Sequence, residues 1–131
     1  MRIAVLGGGP AGLYFAISMK LRDPSHEVTV IERNRADSTF GWGVVLSDET
    51  LSNLMANDPV SAEWISDNFA YWDDIAVHFK GTRTLSTGHG FCGIGRKKLL
   101  LLLQQRAREL DIELAFETEA DDPEVYMREY D

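Results

Sequence analysis

An α/β fold built on a Rossmann-like βαβ unit is predicted by three features of the first 32 residues. A β-branched apolar run, Ile3-Ala4-Val5-Leu6, opens directly into Gly7-Gly8-Gly9-Pro10-Ala11-Gly12. A helical stretch follows. A second strand, Val28-Thr29-Val30-Ile31, then ends at Glu32, twenty residues beyond Gly12. Strand, G-x-G-x-x-G turn, helix, strand and terminal acid stand in the order that holds the ADP half of a dinucleotide. Gly7 permits the tight turn out of the strand, Gly9 leaves room for a pyrophosphate, and Gly12 lets helix and strand approach. Pro10 lacks only an N–H that a helix start would leave orphaned. The remaining amides, Ala11 among them, and the positive end of the helix dipole face a phosphate. Glu32 accepts hydrogen bonds from ribose hydroxyls, which favours an unphosphorylated ribose. A glycine-rich turn without a ligand is the plainer alternative, and the shared register of all five parts argues against it.

Bulk composition narrows the class. A chain of 131 residues with 44% hydrophobic content makes one soluble domain with a modest core. Its longest apolar run, Leu99 to Leu103, is far too short to span a membrane. Met1 leads at once into a strand, without the apolar leader of a signal peptide. The single cysteine, Cys92, excludes an internal disulfide and fits a reducing, cytoplasmic setting. Net charge is −8, and it resides in the C-terminal segment: residues 111–131 carry nine acids and one base, Arg128. No basic stripe interleaved with aromatics occurs, which excludes nucleic acid as a partner. His26, His78 and His89 show no metal-ligand spacing.

Patterning assigns the remaining elements. Strand 2–6, helix 10–22 and strand 27–31 are followed by a loop over 33–46, which includes the glycine-flexed Thr39-Phe40-Gly41-Trp42-Gly43. Asp23-Pro24-Ser25 ends the first helix. Ser47 caps a short helix to about residue 56, with Asp48 and Glu49 in its first turn. A further helix is expected over 60–69. Ile75, Val77 and Phe79 alternate on a strand over 75–80, which turns at Gly81-Thr82-Arg83 into a partner over 84–87. On helix 96–110, Leu99, Leu103, Ala107 and Leu110 share a face, and Lys97, Gln104, Gln105 and Arg108 lie largely away from it. A last strand covers 112–116. Residues 117–131 have no clear period and read as a solvated tail. Three parallel strands (2–6, 27–31, 112–116) leave the sheet incomplete, so a fragment of a longer protein is expected.

Specific motifs carry a family resemblance over about residues 1–120. The first set is Gly7-Gly8-Gly9-Pro10-Ala11-Gly12-Leu13-Tyr14-Phe15, Val30-Ile31-Glu32-Arg33-Asn34 and Gly41-Trp42-Gly43-Val44-Val45-Leu46. With Trp72-Asp73-Asp74-Ile75, Thr87-Gly88-His89-Gly90-Phe91 and Gly93-Ile94-Gly95-Arg96-Lys97-Lys98, the chain resembles the FAD-dependent aromatic hydroxylases, a group with a glutathione-reductase-type fold. Within that group it is most similar to the aroyl-CoA branch of salicylyl-CoA 5-hydroxylase and 2-aminobenzoyl-CoA monooxygenase type. A tryptophan-derivative hydroxylase of violacein synthesis shares the Gly-Trp-Gly-Val-Val loop.

The resemblance implies an enzyme in which NAD(P)H reduces FAD and a flavin hydroperoxide, formed with O2, hydroxylates the ring of an aroyl-CoA. The flavin carries that chemistry, so no nucleophile triad is required and no catalytic side chain is assigned. By motif, Gly7, Gly9, Pro10, Ala11 and Gly12 match the pyrophosphate turn and Glu32 the ribose acid. Arg33 matches a position beside the adenosine. Trp42, Gly43 and Val44 match a loop running toward the flavin ring, and Arg96 an arginine near the phosphates and ribityl chain. Residues 1–116 then form the N-terminal part of an FAD-binding domain, with 117–131 an acidic tail leading to a missing segment. The family's later Asp-Gly and Gly-Asp motifs do not occur in the chain. Two functional readings follow: part of an aromatic monooxygenase whose isolated piece is inactive, or a non-catalytic remnant that binds FAD weakly or not at all. An unrelated NAD-binding dehydrogenase domain is disfavoured by the Gly-Trp-Gly-Val-Val loop.

Overall fold

A computed structural model describes residues 1–131. Along the chain it runs β1 (Arg2–Leu6), α1 (Pro10–Arg22), β2 (Glu27–Ile31), β3 (Gly43–Leu46), α2 (Asp48–Asn57), α3 (Pro59–Ser66) and β4 (Ala70–Trp72). It continues through β5 (Ile75–Phe79), β6 (Thr82–Ser86), β7 (Phe91–Gly95), α4 (Arg96–Glu109), β8 (Glu113–Ala115) and α5 (Pro123–Glu129). Two units divide these elements: Met1–Trp42 with Arg96–Asp131, and Gly43–Gly95. None of the helices is long and apolar enough to cross a membrane.

The first unit holds a parallel sheet of order β1-β2-β8, the three strands expected from patterning. Val5 pairs with Val30, and Ile31 pairs with Ala115. Val28, Val30 and Ile31 are all buried, as expected of a central parallel strand covered by helix. The helix α1 packs against α4. Leu13, Ala16 and Ile17 of α1 and Leu99, Leu100, Leu103 and Ala107 of α4 are buried. Each large aliphatic side chain so buried contributes about 1.5–3 kcal/mol. His26 is a core group: only 8% exposed, its Nδ1 lies 3.1 Å from the Met19 carbonyl oxygen.

The acidic C-terminal stretch is more structured than its sequence suggests. Asp122 caps α5 by accepting the Glu124 N–H at 2.9 Å. Asp131 then reaches the open edge of β1, where its N–H donates to the Arg2 carbonyl at 2.8 Å and its Oδ2 accepts the Arg2 N–H at 2.6 Å. The Arg2 guanidinium lies 5.2 Å from the Tyr130 ring centroid. A short helix of seven residues gives too few turns for a readable hydrophobic period.

The second unit contains an antiparallel sheet of order β3-β7-β4 and the separate β5–β6 hairpin. Its strand β3 occupies part of the expected 33–46 loop, and β4 and β7 were not apparent in the sequence. Val44 pairs with Ile94, and Tyr71 with Cys92. In β7, Gly93 accommodates a neighbour, since a Cβ there would stand 3.0 Å from Trp72 Cη2. The hairpin turns at Lys80 and Gly81 (φ 47° and 79°), one residue earlier than patterning suggests. Two consecutive positive φ values match the twist of the flanking strands. As expected, Ser47 caps α2, its Oγ accepting the Thr50 N–H at 3.3 Å. The next helix, α3, stops at Ser66 rather than 69.

Candidate functional site

The carboxyl end of the parallel sheet carries the site. Leaving β1, the chain turns at Gly7, whose φ of +113° suits glycine and whose N–H donates to the Ile31 carbonyl at 2.8 Å. Gly9 caps α1 without a side-chain hydrogen bond, and Pro10 follows at the first turn. A Cβ on Gly9 would meet nothing within 4 Å, so the turn is open on that side. Gly12 is the reverse case: a Cβ there would overlap the Gly7 carbonyl oxygen. Gly12 thus serves helix-to-strand closeness and Gly9 leaves open space.

Glu32 stands at the end of β2 with both carboxylate oxygens engaged. Oε2 accepts the Gly8 N–H at 2.8 Å, and Oε1 accepts the Asn34 N–H at 2.8 Å and the Asn34 side-chain amide at 2.7 Å. Partial burial pushes this carboxyl up. The Asn34 and Gly8 donors, with the nearby Arg33 charge, outweigh that effect and hold it below its ordinary value. Glu32 is therefore a fixed anion.

Two cavities flank Glu32 within the first unit. One, of about 130 Å³, is lined by Gly8, Gly9, Glu32, Thr39, Arg96 and Gln104 among others. Two of its polar atoms, Thr39 Oγ1 and Arg96 Nε, are buried without a hydrogen-bond partner. The other, of about 390 Å³, lies along Gly7, Glu32, Arg33, Thr118, Glu119 and Ala120. Thr118 is held there by its N–H to the Glu32 carbonyl at 3.0 Å, and Arg33 lies 3.8 Å from Glu119.

The residues singled out in the sequence are placed unevenly. Gly9, Glu32 and Arg96 meet around the smaller cavity, and Gly7 and Arg33 line the larger. Pro10, Ala11 and Gly12 build the helix start. Trp42 is 98% exposed and lines neither cavity; its carbonyl accepts the Arg96 N–H at 3.1 Å. Gly43 and Val44 belong to strand β3 of the second unit.

Several contributors escaped sequence reasoning. Gly8 counts as a variable position of the motif, yet a Cβ on it would stand 2.9 Å from Glu32 Cβ. Gln104, expected to lie away from the apolar face of α4, is 2% exposed and donates from Nε2 to the Ala36 carbonyl at 2.9 Å. One signal was available for it. Arg96, Leu100 and Gln104 recur at i, i+4 and i+8, a single helix stripe.

Comparison with known proteins gives the family. A profile of the family described as pyridine nucleotide-disulphide oxidoreductase matches residues 1–121. Over 123 residues the chain is 46% identical to a salicyloyl-CoA 5-hydroxylase of a Streptomyces species, covering 94% of this chain and 24% of that protein. It is 32% identical over 125 residues to a protodeoxyviolaceinate monooxygenase of Chromobacterium violaceum, covering 90% of this chain and 32% of the relative. Among solved structures, the tetrameric form of 2-methyl-3-hydroxypyridine-5-carboxylic acid oxygenase superposes with a TM-score of 0.78 at 24% identity. That match covers 91% of this chain and 32% of the other, and it shows the shared fold. The chain thus spans about a quarter to a third of the length of these relatives. With the glycine turn, Glu32 and the parallel sheet all inside the matched region, the chain belongs to the pyridine nucleotide-disulphide oxidoreductase family.

Proposed function

We propose that residues 1–131 are the FAD-binding N-terminal portion of an NAD(P)H-dependent monooxygenase that hydroxylates an aroyl-CoA such as salicylyl-CoA. The observation that carries FAD binding is the pair of unpartnered buried atoms, Thr39 Oγ1 and Arg96 Nε, in the cavity beside Gly8 and Gly9. A buried donor without an acceptor costs about 1–3 kcal/mol, more when charged. Arg96 also opens α4, where the helix dipole disfavours a cation. A phosphate oxygen answers both costs, and the guanidinium fork suits it.

The other residues then take defined roles. The first-turn amides of α1, left without a side-chain cap, face a pyrophosphate across Gly9. Glu32, fixed and ionised, keeps one lone-pair site on Oε2 for a ribose hydroxyl. Arg33 and the Thr118–Ala120 segment border the larger cavity, which suits the adenine. When bound, FAD supplies the redox and oxygen chemistry, while this chain binds and orients its ADP half. The aroyl-CoA assignment is supported by the 46% identity to a salicyloyl-CoA 5-hydroxylase.

The visible spectrum of the purified chain, before and after FAD addition and desalting, tests the cofactor half. Flavin absorption retained through the column is the expected result. A colourless eluate from folded protein counts against it. The substrate half is tested in the full-length protein with salicylyl-CoA, NAD(P)H and O2, where the product gains one oxygen atom.

A further inference from the structure

We infer that Gln104 is a positioning residue for the cofactor site: it clasps the 33–40 loop against α4 through Ala36 and so sets how tightly the dinucleotide is held. The inference rests on the FAD reading above.

Three anchors fix this loop. At its start, the Asn34 N–H donates to Glu32 and the Asn34 carbonyl accepts the Glu117 N–H at 3.1 Å. At its far end, the Trp42 carbonyl accepts the Arg96 N–H at 3.1 Å. Between them, Gln104 Nε2 grips the Ala36 carbonyl at 2.9 Å, across 68 residues of sequence. Two of the three anchors come from α4, eight residues apart on one stripe, so the loop is held over about 12 Å of helix. Leu100 lies between them and lines the same cavity as Arg96 and Gln104.

The clasp bears on the site because of what the loop carries. Asn34, Ala36 and Thr39 line the smaller cavity together with Gly8 and Gly9. If the Ala36 carbonyl is released, Thr39 and its unpartnered hydroxyl are no longer held in the cavity that Arg96 also lines. A glutamine 2% exposed in an apolar helix face is costly to bury unless its amide is bonded. Its burial is explained by the bond to Ala36, and apolar packing alone would be served better by leucine or methionine.

Gln104→Met tests this, since methionine keeps the side-chain length and helix preference and removes only the polar amide. Amide hydrogen exchange is followed across the chain, and FAD affinity by flavin fluorescence. Faster exchange confined to residues 33–40, with β1, β2 and α4 protected as in wild type, is expected. FAD affinity should fall about 5- to 10-fold, the scale of one neutral hydrogen bond. Unchanged affinity and loop protection in the methionine variant overturn the inference, because packing alone then accounts for the residue. An increase in exchange spread evenly through β1 and α4 also overturns it. If wild-type chain takes up no FAD, the cofactor reading fails separately, and loop exchange alone decides the clasp.

Discussion

Gly8 and Glu32 are joined both by a hydrogen bond and by fit. The Gly8 N–H donates to Glu32 Oε2 at 2.8 Å, and a Cβ on Gly8 would stand 2.9 Å from the Glu32 Cβ. A formally variable position of the glycine turn is thereby tied to the acid that ends β2. Gly8→Ala should push Glu32 aside, at a cost of about 1–3 kcal/mol. A lower denaturant midpoint at unchanged slope is the expected reading. An unchanged midpoint would show that Glu32 yields freely.

Gly9 and Gly12 should respond to the same substitution in opposite ways. Gly12→Ala forces a Cβ into the Gly7 carbonyl, and a loss of about 3 kcal/mol or more is expected. Gly9 has an extended backbone, φ −72° and ψ 175°, and open space around it. Gly9→Ala should leave stability within about 0.5 kcal/mol of wild type while abolishing FAD retention. Paired thermal melts and FAD titrations of the two variants separate fold from site. An alanine at position 9 that still retains FAD places the pyrophosphate elsewhere.

The Glu32 carboxyl, held below its ordinary value in the folded chain, makes stability depend on pH with a definite sign. The unfolded chain takes up a proton at a higher pH than the folded one does. The contribution is therefore complete above the ordinary carboxylate range and is lost as pH falls through it toward the lowered folded value. Glu32→Gln removes this dependence. The stability gap between wild type and variant should shrink as pH falls through the ordinary carboxylate range and below it, read by urea unfolding at each pH. A gap that stays constant would mean Glu32 titrates alike in both states.

Cys92 should be inert in the native protein. It is 1% exposed, its thiol donates to the Leu46 carbonyl at 3.4 Å, and burial followed by the Asp48 charge pushes its titration up. Labelling by a thiol-specific disulfide reagent near neutral pH should be about 100-fold slower than in denaturant. Equal rates would mean that β7 opens readily.

The parts of the fold that could be read in advance share a local origin. The β1, α1, β2 and α4 elements announce themselves through runs and stripes of apolar residues whose period survives without a partner. The β3, β4 and β7 strands do not. Gly43, Gly93 and Gly95 deplete the β propensity of β3 and β7, whose pairing joins residues some fifty positions apart, as in Val44 with Ile94, and β4 is only three residues long. The site divides similarly. Gly9 and Glu32 are legible because they belong to one motif of fixed local spacing, strand, glycine turn, helix and strand-end acid. Gln104 is legible only as a member of the Arg96, Leu100 and Gln104 stripe, since a helix pattern alone cannot show a loop arriving to bond it.

The first unit both begins and finishes the chain, while its two inner ends, Trp42 and Arg96, meet in a hydrogen bond. During synthesis this imposes an order of arrival. The glycine turn and Glu32 leave the ribosome before the helix bearing Arg96 and Gln104, which follows only after residues 43–95 have been made. At about 5–20 residues per second that interval lasts several seconds. Through it, β1, α1 and β2 wait with the α4-facing side of α1 uncovered and the β8 edge unpaired. Mutations that slow translation across 43–95 would lengthen that window without altering a single contact of the finished site.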